Sequence, residues 1–332
     1  MSGIRRREFV RLLGGGAAAA WPIVARAQQP TVPVIGFLGP GSAQSDASRV
    51  TGFRQGLREA GLLEGRNFTI EYRWADSHYD RLPAMATELV HRQVAVIATS
   101  STPAALAAKA ATTAIPIVFE TASDPVKLGL VPSLNRPGGN ITGVTQVSAD
   151  MTPKRLELLH ELLPNAGVLA LLINPTVPEL AAPQTRAVHS AAQSLRIDLH
   201  VLNASTEQDF NTVFARLTEL RAEGLVIGGD AFFTRHVKQL AELTLQHGVP
   251  AIYQYREFAA AGGLMSYGSN ITDTHRLVGI YAARILKGDK PADLPVQQAT
   301  TKVEMYINLK TARALGITIT LPLSGRADEI FE

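Results

Sequence analysis

The chain of 332 residues contains no cysteine. This absence excludes disulfide bonds, thiolate metal ligands and cysteine nucleophiles. It also excludes the lipidated cysteine by which many exported proteins are tethered to a membrane. Because no covalent cross-link is available, the stability of the fold must come from the burial of apolar side chains. A chain of this length is expected to divide into two domains.

Long apolar runs are also missing, and the best candidate lies near the N-terminus. Residues 12–24 are weakly apolar and rich in glycine and alanine, whereas a membrane-spanning helix needs about 20 predominantly apolar residues. Three arginines at 5–7 precede this run and Ala-Arg-Ala at 25–27 follows it, which is the order of an export signal with its cleavage site. The Arg-Arg-x-Phe-Val-Arg spacing predicts a twin-arginine signal over 1–27 and delivery to the periplasm. An ordinary secretory signal with additional arginines is the alternative.

A clustered excess of positive charge is missing as well. The 32 basic and 29 acidic residues give a formal net charge of +3. Five of the arginines and one glutamate belong to residues 1–27, so 27 basic and 28 acidic residues remain, with a net charge of −1. Nucleic-acid-binding proteins usually present a clustered basic face. The sequence therefore predicts no nucleic-acid partner.

Motifs that carry catalysis are not found in the chain. It has no Gly-x-Ser-x-Gly elbow, no His-Glu-x-x-His and no phosphate loop ending in Gly-Lys-Ser/Thr. The eight histidines are scattered, and no pair has metal-ligand spacing with supporting carboxylates. We therefore expect a protein that is not an enzyme and that holds neither a metal nor a cofactor.

The chain does have a regular alternation of short β-branched runs with amphipathic helical patterns. A buried strand at 34–38 is followed by a helix at 47–60, and the same alternation restarts after Met151. Strands separated by helices of ten or more residues predict right-handed crossovers and parallel sheets. The two runs predict an α/β protein with two similar lobes. They include a short helix at 126–134 and a long one at 233–247.

The last seventy residues contain more strands than one further crossover unit needs. A strand at 264–267 and a helix at 271–287 are followed by strands at 296–299 and 304–308. This surplus predicts that the chain passes between the lobes more than once and forms a hinge of several segments.

Hydroxyl side chains are concentrated where the predicted strands of the first lobe end. They occur at 39–42, 99–103 and 120–125, and the last two of these loops open helices. In open parallel sheets, ligands bind beyond the carboxyl ends of the strands. Free N–H groups at a helix N-terminus, together with hydroxyls, favour a carboxylate. Ser, Thr and Asp are also common helix caps whatever the function, so each residue has a structural alternative.

The second lobe presents different chemistry at its strand ends. Asp230 follows an apolar strand and two glycines, so it is predicted either to pair with an ammonium group or to cap the next helix. Aromatic residues make up only 6% of the chain, yet six of them fall within 36 positions. They are Phe232, Phe233, Tyr253, Tyr255, Phe258 and Tyr267. They predict either an apolar ligand wall or core packing, and for Phe232 and Phe258 we expect core packing.

Several stretches, taken in their order and spacing, resemble one protein family. They are FRQGLREAG at 53–61, TPAALA at 102–107, SDPVKLGLV at 123–131, NRPGGNITG at 135–143, GGLMSYG at 262–268 and INLKTA at 307–312. From Val34 to Glu332 the chain resembles the solute-binding components of ABC transporters, in the group that includes tryptophan- and tyrosine-type binding proteins.

The resemblance implies two Rossmann-like lobes joined by a three-segment hinge, the type I periplasmic binding protein fold. The first lobe would comprise 33–144 plus 264–295 and the second 145–263 plus 296–325, with 326–332 as a C-terminal tail. The ligand-binding residues implied by the loops and the resemblance come from both lobes and the hinge. They are Ser42, Ser100, Ser101, Thr121, Ser123, Asp124, Asn174, Asp230, Tyr253 and Tyr267.

The resemblance also implies a function and partners. The chain would be a monomeric periplasmic component of an ABC importer that closes on a small ligand and delivers it to a permease with its ATPase. The implied ligand is an amino acid, with an aromatic one as an option, or a related organic acid. A sensor that hands its ligand to a membrane receptor or kinase is the first alternative, and a periplasmic enzyme is the second.

Overall fold

The computed structural model describes residues 32–146, 151–299 and 303–332. The predicted export signal at 1–27 lies outside the described residues. Across the three described ranges, no helix is long and apolar enough to cross a membrane.

The described residues form thirteen strands, which follow the short β-branched runs of the sequence. In chain order they are β1 (Val34–Gly39), β2 (Thr69–Trp74), β3 (Val96–Thr99), β4 (Ile117–Thr121), β5 (Ile141–Thr145), β6 (Val168–Ile173), β7 (Asp198–Asn203), β8 (Gly224–Ile227), β9 (Ala251–Tyr253), β10 (Met265–Gly268), β11 (Gln297–Gln298), β12 (Glu304–Asn308) and β13 (Glu329–Phe331).

Twelve α-helices connect these strands within the same ranges, with short 3₁₀ turns at Tyr79–Arg81 and Pro291–Asp293. The helices are α1 (Ala47–Glu59), α2 (Leu82–His91), α3 (Thr102–Ala111), α4 (Thr152–Leu162), α5 (Pro178–Leu195), α6 (Glu207–Leu220), α7 (Ala231–Arg235), α8 (Val237–Gln246), α9 (Arg256–Ala260), α10 (Ile271–Leu286), α11 (Leu309–Ala314) and α12 (Leu321–Ser324).

The strands divide into two sheets, and each sheet is the centre of one lobe. The first sheet has the order β11-β5-β4-β3-β1-β2 and is parallel throughout. The second has the order β13-β12-β10-β9-β8-β6-β7, and within it only the β10–β12 pair is antiparallel. This topology confirms the predicted α/β fold with two parallel-sheet lobes.

Helices cover both faces of each sheet, as parallel sheets require. In the first lobe, α1 and α10 bury one apolar face and α2 and α3 bury the other. In the second lobe, α4 and α5 lie on one face, and α6, α7 and α8 lie on the other. The carboxyl ends of the strands therefore stay free of core packing, and their loops are available to form a site.

Glycines allow α1 and α10 to pack very closely in the first lobe. A Cβ atom at Gly52 would lie 1.9 Å from the carbonyl oxygen of Thr272, and one at Gly56 would lie 1.9 Å from that of Arg276. On α10, a Cβ atom at Gly279 would lie 2.2 Å from the carbonyl oxygen of Phe53. Only glycine permits this backbone-to-backbone approach, which fixes α10 onto the first lobe.

The chain passes between the two sheets three times. It leaves the first sheet after β5 and enters the second at β6, returns through α10 to β11, and leaves again for β12. These passages confirm the predicted three-segment connection. Residues 147–150 and 300–302 of the first and third passages lie outside the described residues.

Two predicted helices differ from the structure. No helix forms at 126–134: the chain makes consecutive turns there, because Gly129 adopts a φ of +67° and Pro132 lacks an N–H donor. The predicted helix at 233–247 divides into α7 and α8 at His236, whose φ and ψ of −96° and 20° leave the helical region.

The predicted lobe boundaries also need correction. Met265–Gly268 was assigned to the first lobe, but β10 pairs with β9 and β12 in the second sheet. Gln297–Gln298 was assigned to the second lobe, but β11 pairs with β5 in the first sheet. The supposed tail at 326–332 contains β13, which extends the second sheet beside β12. Local sequence pattern does not encode these long-range pairings.

Candidate functional site

Two cavities lie between the lobes, and side chains of both lobes line each of them. The central cavity, of about 30 Å³, lies where residues after β3 and β4 face residues after β8 and β9. The side cavity, of about 500 Å³, lies between the start of α1 and residues of α7, α8 and α9. Arg49, Thr234 and Tyr255 line both, so the cavities adjoin at these residues.

The loop after β3 brings two predicted residues, Ser100 and Ser101, to the central cavity. Ser101 is the N-cap of α3, and its hydroxyl accepts a hydrogen bond from the Ala104 N–H at 3.3 Å. The Ser100 hydroxyl donates to Asp46 Oδ2 at 3.3 Å. Because the first turn of α3 forms this wall, the positive end of the helix dipole adds to the two hydroxyls. This wall suits an anionic group.

Three other predicted residues follow β4 but do not line the central cavity. Thr121 is fully buried behind it and shares a hydrogen bond with Thr102 at 2.8 Å. The Ser123 N–H donates to the Thr121 hydroxyl at 3.2 Å. Asp124 lines a separate cavity of about 360 Å³ in the first lobe, and its carboxylate accepts from the Val126 N–H at 2.9 Å. The turn that replaces the predicted helix uses these polar groups internally.

The side cavity combines polar and apolar walls. Ser42, predicted from the loop after β1, lines it, and the Ser42 N–H donates to the Ser45 hydroxyl at 2.9 Å. The second lobe contributes the apolar side chain of Val237 and the ring of Tyr255, and Ile271 at the start of α10 adds further apolar surface. Among the described residues, the basic side chains of Arg49, Arg235 and Lys238 line it together with one acidic side chain, that of Glu257. The cavity is therefore an apolar space with an excess of positive charge.

Asp230 is the carboxylate of the second lobe in the central cavity, and only 6% of it is exposed. One of its oxygens, Oδ1, accepts from the Phe232 N–H at 2.8 Å, from Asn174 Nδ2 at 2.9 Å and from the Tyr79 hydroxyl at 2.8 Å. Burial raises the pKa of Asp230, against the lowering effect of Asn174 and Tyr79. Asp230 caps α7, as one alternative predicted, and Asn174 lies beside it as a supporting donor.

Two contacts join the lobes beside this carboxylate. Tyr79, from the first lobe, donates to Asp230 and also accepts a hydrogen bond from the Phe232 N–H at 2.8 Å. Arg235, from the second lobe, forms an ion pair with Asp76 at 3.1 Å. Burial and the neighbouring Asp230 raise the pKa of Tyr79 well above its ordinary value, so its hydroxyl stays a donor. These contacts exist only when the lobes are close together.

A buried charged cluster lies on the first-lobe side of the central cavity. Arg49 NH1 lies 3.2 Å from Asp46 Oδ1, and the two residues are 5% and 3% exposed. Glu120, at 3% exposure, accepts a hydrogen bond from Gln146 Nε2 at 2.7 Å. Burial raises the pKa of Glu120 to about 7, although Arg49 and Gln146 act in the opposite direction. The cluster therefore holds one ion pair and one carboxyl group that is half protonated near neutral pH.

Core packing, one of the two predicted alternatives, applies to most of these aromatic side chains. Tyr253 is fully buried, and its hydroxyl bonds the Thr234 hydroxyl at 2.8 Å and donates to the Asp230 carbonyl at 3.1 Å. Tyr267 packs against the core of the second lobe and lines neither cavity. Tyr255 is the aromatic residue that lines both. Phe232 and Phe258 lie in the core, which confirms that part of the prediction.

Sequence reasoning missed Tyr79, Arg49 and Glu120. Tyr79 follows β2, whose loop carries no hydroxyl cluster or helix-capping pattern that would have drawn attention to it. Arg49 stands among polar residues at the start of α1, where a solvated position is the usual expectation. Glu120 is a carboxylate within an otherwise apolar strand, and this was the one available signal. Within the described ranges, no group of three or more His, Asp and Glu side chains could hold a metal ion.

Comparison with known proteins identifies the family of this chain. Residues 32–331 match the family described as ABC transporter substrate binding protein. A tyrosine-binding protein of Clostridioides difficile (strain R20291) is 28% identical over 265 residues, which cover 80% of this chain and 75% of that protein.

Two solved structures each match 90% of this chain, and the match includes 99% of their own chain. One is an ABC domain from Streptococcus pneumoniae in complex with L-Trp, with a TM-score of 0.82 and 23% identity. The other is the ligand-free, open structure of a substrate binding protein with adhesive properties from Clostridium difficile, with a TM-score of 0.64 and 25% identity. Because the family match spans nearly the whole described chain, this protein belongs to the ABC transporter substrate binding protein family.

Proposed function

We propose that this protein binds an amino acid between its two lobes and delivers it to the permease and ATPase of an ABC importer. The observation that carries the proposal is the pairing of opposite chemistries across the central cavity. Asp230 faces it from the second lobe, while Ser100, Ser101 and the first turn of α3 face it from the first. An amino acid has an ammonium group and a carboxylate one carbon apart, which matches such a pair.

In this arrangement Asp230 receives the ammonium group and the wall of Ser100 and Ser101 receives the carboxylate. The hydrogen bonds that described residues donate to the carboxylate of Asp230 end on Oδ1, so Oδ2 is the oxygen we assign to the ammonium group. Thr121 and Asn174 support this site from behind, because they hold Thr102 and Asp230 in position.

The side chain of the ligand then occupies the side cavity. Its volume of about 500 Å³ lies in the range of about 300–1,000 Å³ that small-molecule sites usually have. Tyr255, Val237 and Ile271 supply apolar surface, and Ser42 supplies a hydroxyl. An aromatic side chain fits this space, and the resemblance to a tyrosine-binding protein supports that ligand class.

The mechanism we propose is closure of the lobes on the ligand. Tyr79 and Asp230 join the lobes at the central cavity, and Arg235 and Asp76 join them beside it. A ligand that contacts both lobes stabilises the closed state by its differential affinity. The permease would recognise that closed state.

Members of this family act outside the cytoplasmic membrane, and we propose that the signal at 1–27 exports this chain to the periplasm by the twin-arginine route. A sensory role beside a receptor or kinase remains the second candidate, because ligand closure would serve it equally. Loss of uptake of the ligand when the gene is deleted would favour the importer, and unchanged uptake with loss of a signalling response would favour the sensor.

The experiment that tests the binding function is a thermal-shift screen of the purified protein against amino acids, aromatic acids and dicarboxylates. Ligand at a hundredfold excess over its dissociation constant stabilises the native state by about 2.7 kcal/mol. A rise in Tm with amino acids, largest for aromatic ones, is expected. A rise only with acids that lack an ammonium group would contradict the assignment of Asp230, and no rise across the panel would contradict amino-acid binding.

A further inference from the structure

We infer that Arg49 binds the carboxylate of the ligand, so that a buried guanidinium, and not hydroxyls alone, holds the acid end. This inference rests on the proposed function, because it assigns a residue to one end of the ligand proposed there. Arg49 lies at the third position of α1 and is one of three residues that line both cavities. A ligand with its head in the central cavity and its side chain in the side cavity must therefore pass Arg49.

The guanidinium of Arg49 has donors that the described chain does not use. A guanidinium group carries five N–H donors, and within the described residues one hydrogen bond is formed, from NH1 to Asp46 Oδ1 at 3.2 Å. Its Nε atom is buried and meets no acceptor in the same part of the chain. A buried donor without an acceptor is unfavourable. A ligand carboxylate would supply that acceptor.

The surroundings of Arg49 keep the guanidinium charged and oriented. Burial alone disfavours the charge, but Asp46, Tyr255 and Glu120 outweigh it and raise the pKa of Arg49. The guanidinium carbon lies 5.8 Å from the centre of the Tyr255 ring, and Nε is the donor that remains for a ligand. Planar guanidinium groups bind carboxylates with two parallel hydrogen bonds, and this geometry is specific for that anion.

The charges that line the side cavity beside Arg49 disfavour the opposite orientation of the ligand. Lys238 and Arg235 line the side cavity with it, and Glu257 is the one acidic residue of that lining. An ammonium group placed there would meet mainly positive charge. Asp230 lines the central cavity from the second lobe, whereas Glu120 lines it from the first lobe together with Arg49. The carboxylate of the ligand is therefore directed to Arg49 and the ammonium group to Asp230.

The test uses three probes that share one side chain. L-tyrosine has both charged groups, L-tyrosinamide lacks the carboxylate, and 3-(4-hydroxyphenyl)propionate lacks the ammonium group. Dissociation constants are measured by titration calorimetry for the wild type and for variants. Wild-type protein is expected to bind L-tyrosine and the propionate more tightly than the amide.

Two variants remove the guanidinium. Arg49→Gln leaves the carboxylate of Asp46 buried without its partner, so a second variant, Asp46→Asn with Arg49→Gln, removes both charges together. Arg54→Gln is the matched control, because Arg54 lies on the same helix, is 44% exposed and pairs with Glu64 away from both cavities. Circular dichroism checks that each variant is folded.

Loss of the guanidinium is expected to weaken the binding of L-tyrosine and of the propionate by about 10- to 100-fold, the range for a hydrogen bond to a charged group. The affinity for the amide should change little, so the preference for the acids over the amide disappears. The Arg54→Gln variant should keep that preference. If a folded double variant retains that preference, the inference is wrong. Arg49-dependent binding of the propionate without binding of L-tyrosine would support Arg49 but contradict amino-acid binding. No binding of any probe to the wild type would overturn both.

Discussion

The buried carboxyl group of Glu120 makes stability depend on pH in a direction opposite to that of most acidic residues. Its pKa rises from an ordinary value of 4.5 to about 7 on folding, because burial disfavours the charge. Between these values the unfolded chain has released the proton and the folded chain still binds it. The folded state therefore loses stability as the pH rises from about 4.5 to about 7, and the loss is complete above that range.

The size of this effect follows from the shift in pKa. A difference of about 2.5 pKa units corresponds to about 3 kcal/mol at 1.36 kcal/mol per unit. Glu120→Gln removes the ionisable group and keeps the shape of the side chain. The free energy of unfolding of the variant, minus that of the wild type, should thus increase by about 3 kcal/mol between pH 4 and pH 8. Burial also raises the pKa of Asp46 and Asp230, but these groups are present in both proteins.

Urea unfolding followed by circular dichroism at pH 4, 6 and 8 measures this difference. The reference is Glu88→Gln, because Glu88 is 59% exposed on α2 and pairs with Arg73 at the surface. A difference between Glu120→Gln and wild type that stays constant over this pH range would refute the reasoning. It would mean that Arg49 keeps Glu120 ionised in the folded protein.

Three further perturbations test the packing and closure of the lobes. Tyr79→Phe removes two hydrogen bonds between the lobes, each worth about 1 kcal/mol. X-ray scattering of this variant without ligand should therefore show a larger radius of gyration than that of the wild type. An unchanged radius would mean that other contacts keep the lobes closed. Gly56→Ala places a Cβ atom 1.9 Å from the Arg276 carbonyl oxygen. Chemical denaturation should therefore show that the free energy of unfolding falls by about 1–3 kcal/mol or more, with Gln55→Ala at an exposed position as the control. Equal stability of the two variants would contradict the close contact between the helices. Asp230→Asn should weaken the binding of amino acids about tenfold or more, as measured by calorimetry. The affinity for acids without an ammonium group should not change. An equal loss of affinity for both classes would mean that Asp230 is only a helix cap.

Local periodicity predicted most of the secondary structure of this chain, in places to the residue. The strand at 304–308 has the bounds that the pattern indicated, and the strand at 34–38 and the helices at 47–60 and 271–287 differ from the observed bounds by one residue. Apolar spacing and flanking proline or glycine residues determine such elements locally. Pairing across the sheets is different, because β10 and β11 joined the sheets opposite to those expected. A short strand pairs according to what the rest of the fold presents to it, and local pattern does not record that.

The candidate site was predictable where it depends on single loops. Ser100, Ser101 and Asp230 were predicted from strand ends and line the central cavity, whereas Ser123 and Asp124 are used within a turn. Residues whose role depends on the opposite lobe escaped prediction. Arg49 is buried because Tyr255 and the second lobe cover it, and Tyr79 matters because Asp230 meets it from the other side. Only the assembled pair of lobes contains that information.

The contacts between the lobes also limit how firmly the protein can close on its own. Tyr79 contributes two hydrogen bonds, worth about 2 kcal/mol together. The ion pair of Arg235 with Asp76 is partly exposed, so it adds between about 0 and 1 kcal/mol. Against these gains stands the loss of freedom when two lobes become fixed. These polar contacts alone give modest stability, and the packing of Tyr79 against Val177 and Leu180 and of Arg49 against Tyr255 adds to it. Contacts from Asp230, the α3 wall and Arg49 to one ligand would then decide the equilibrium, which is how a binding protein signals that it is loaded.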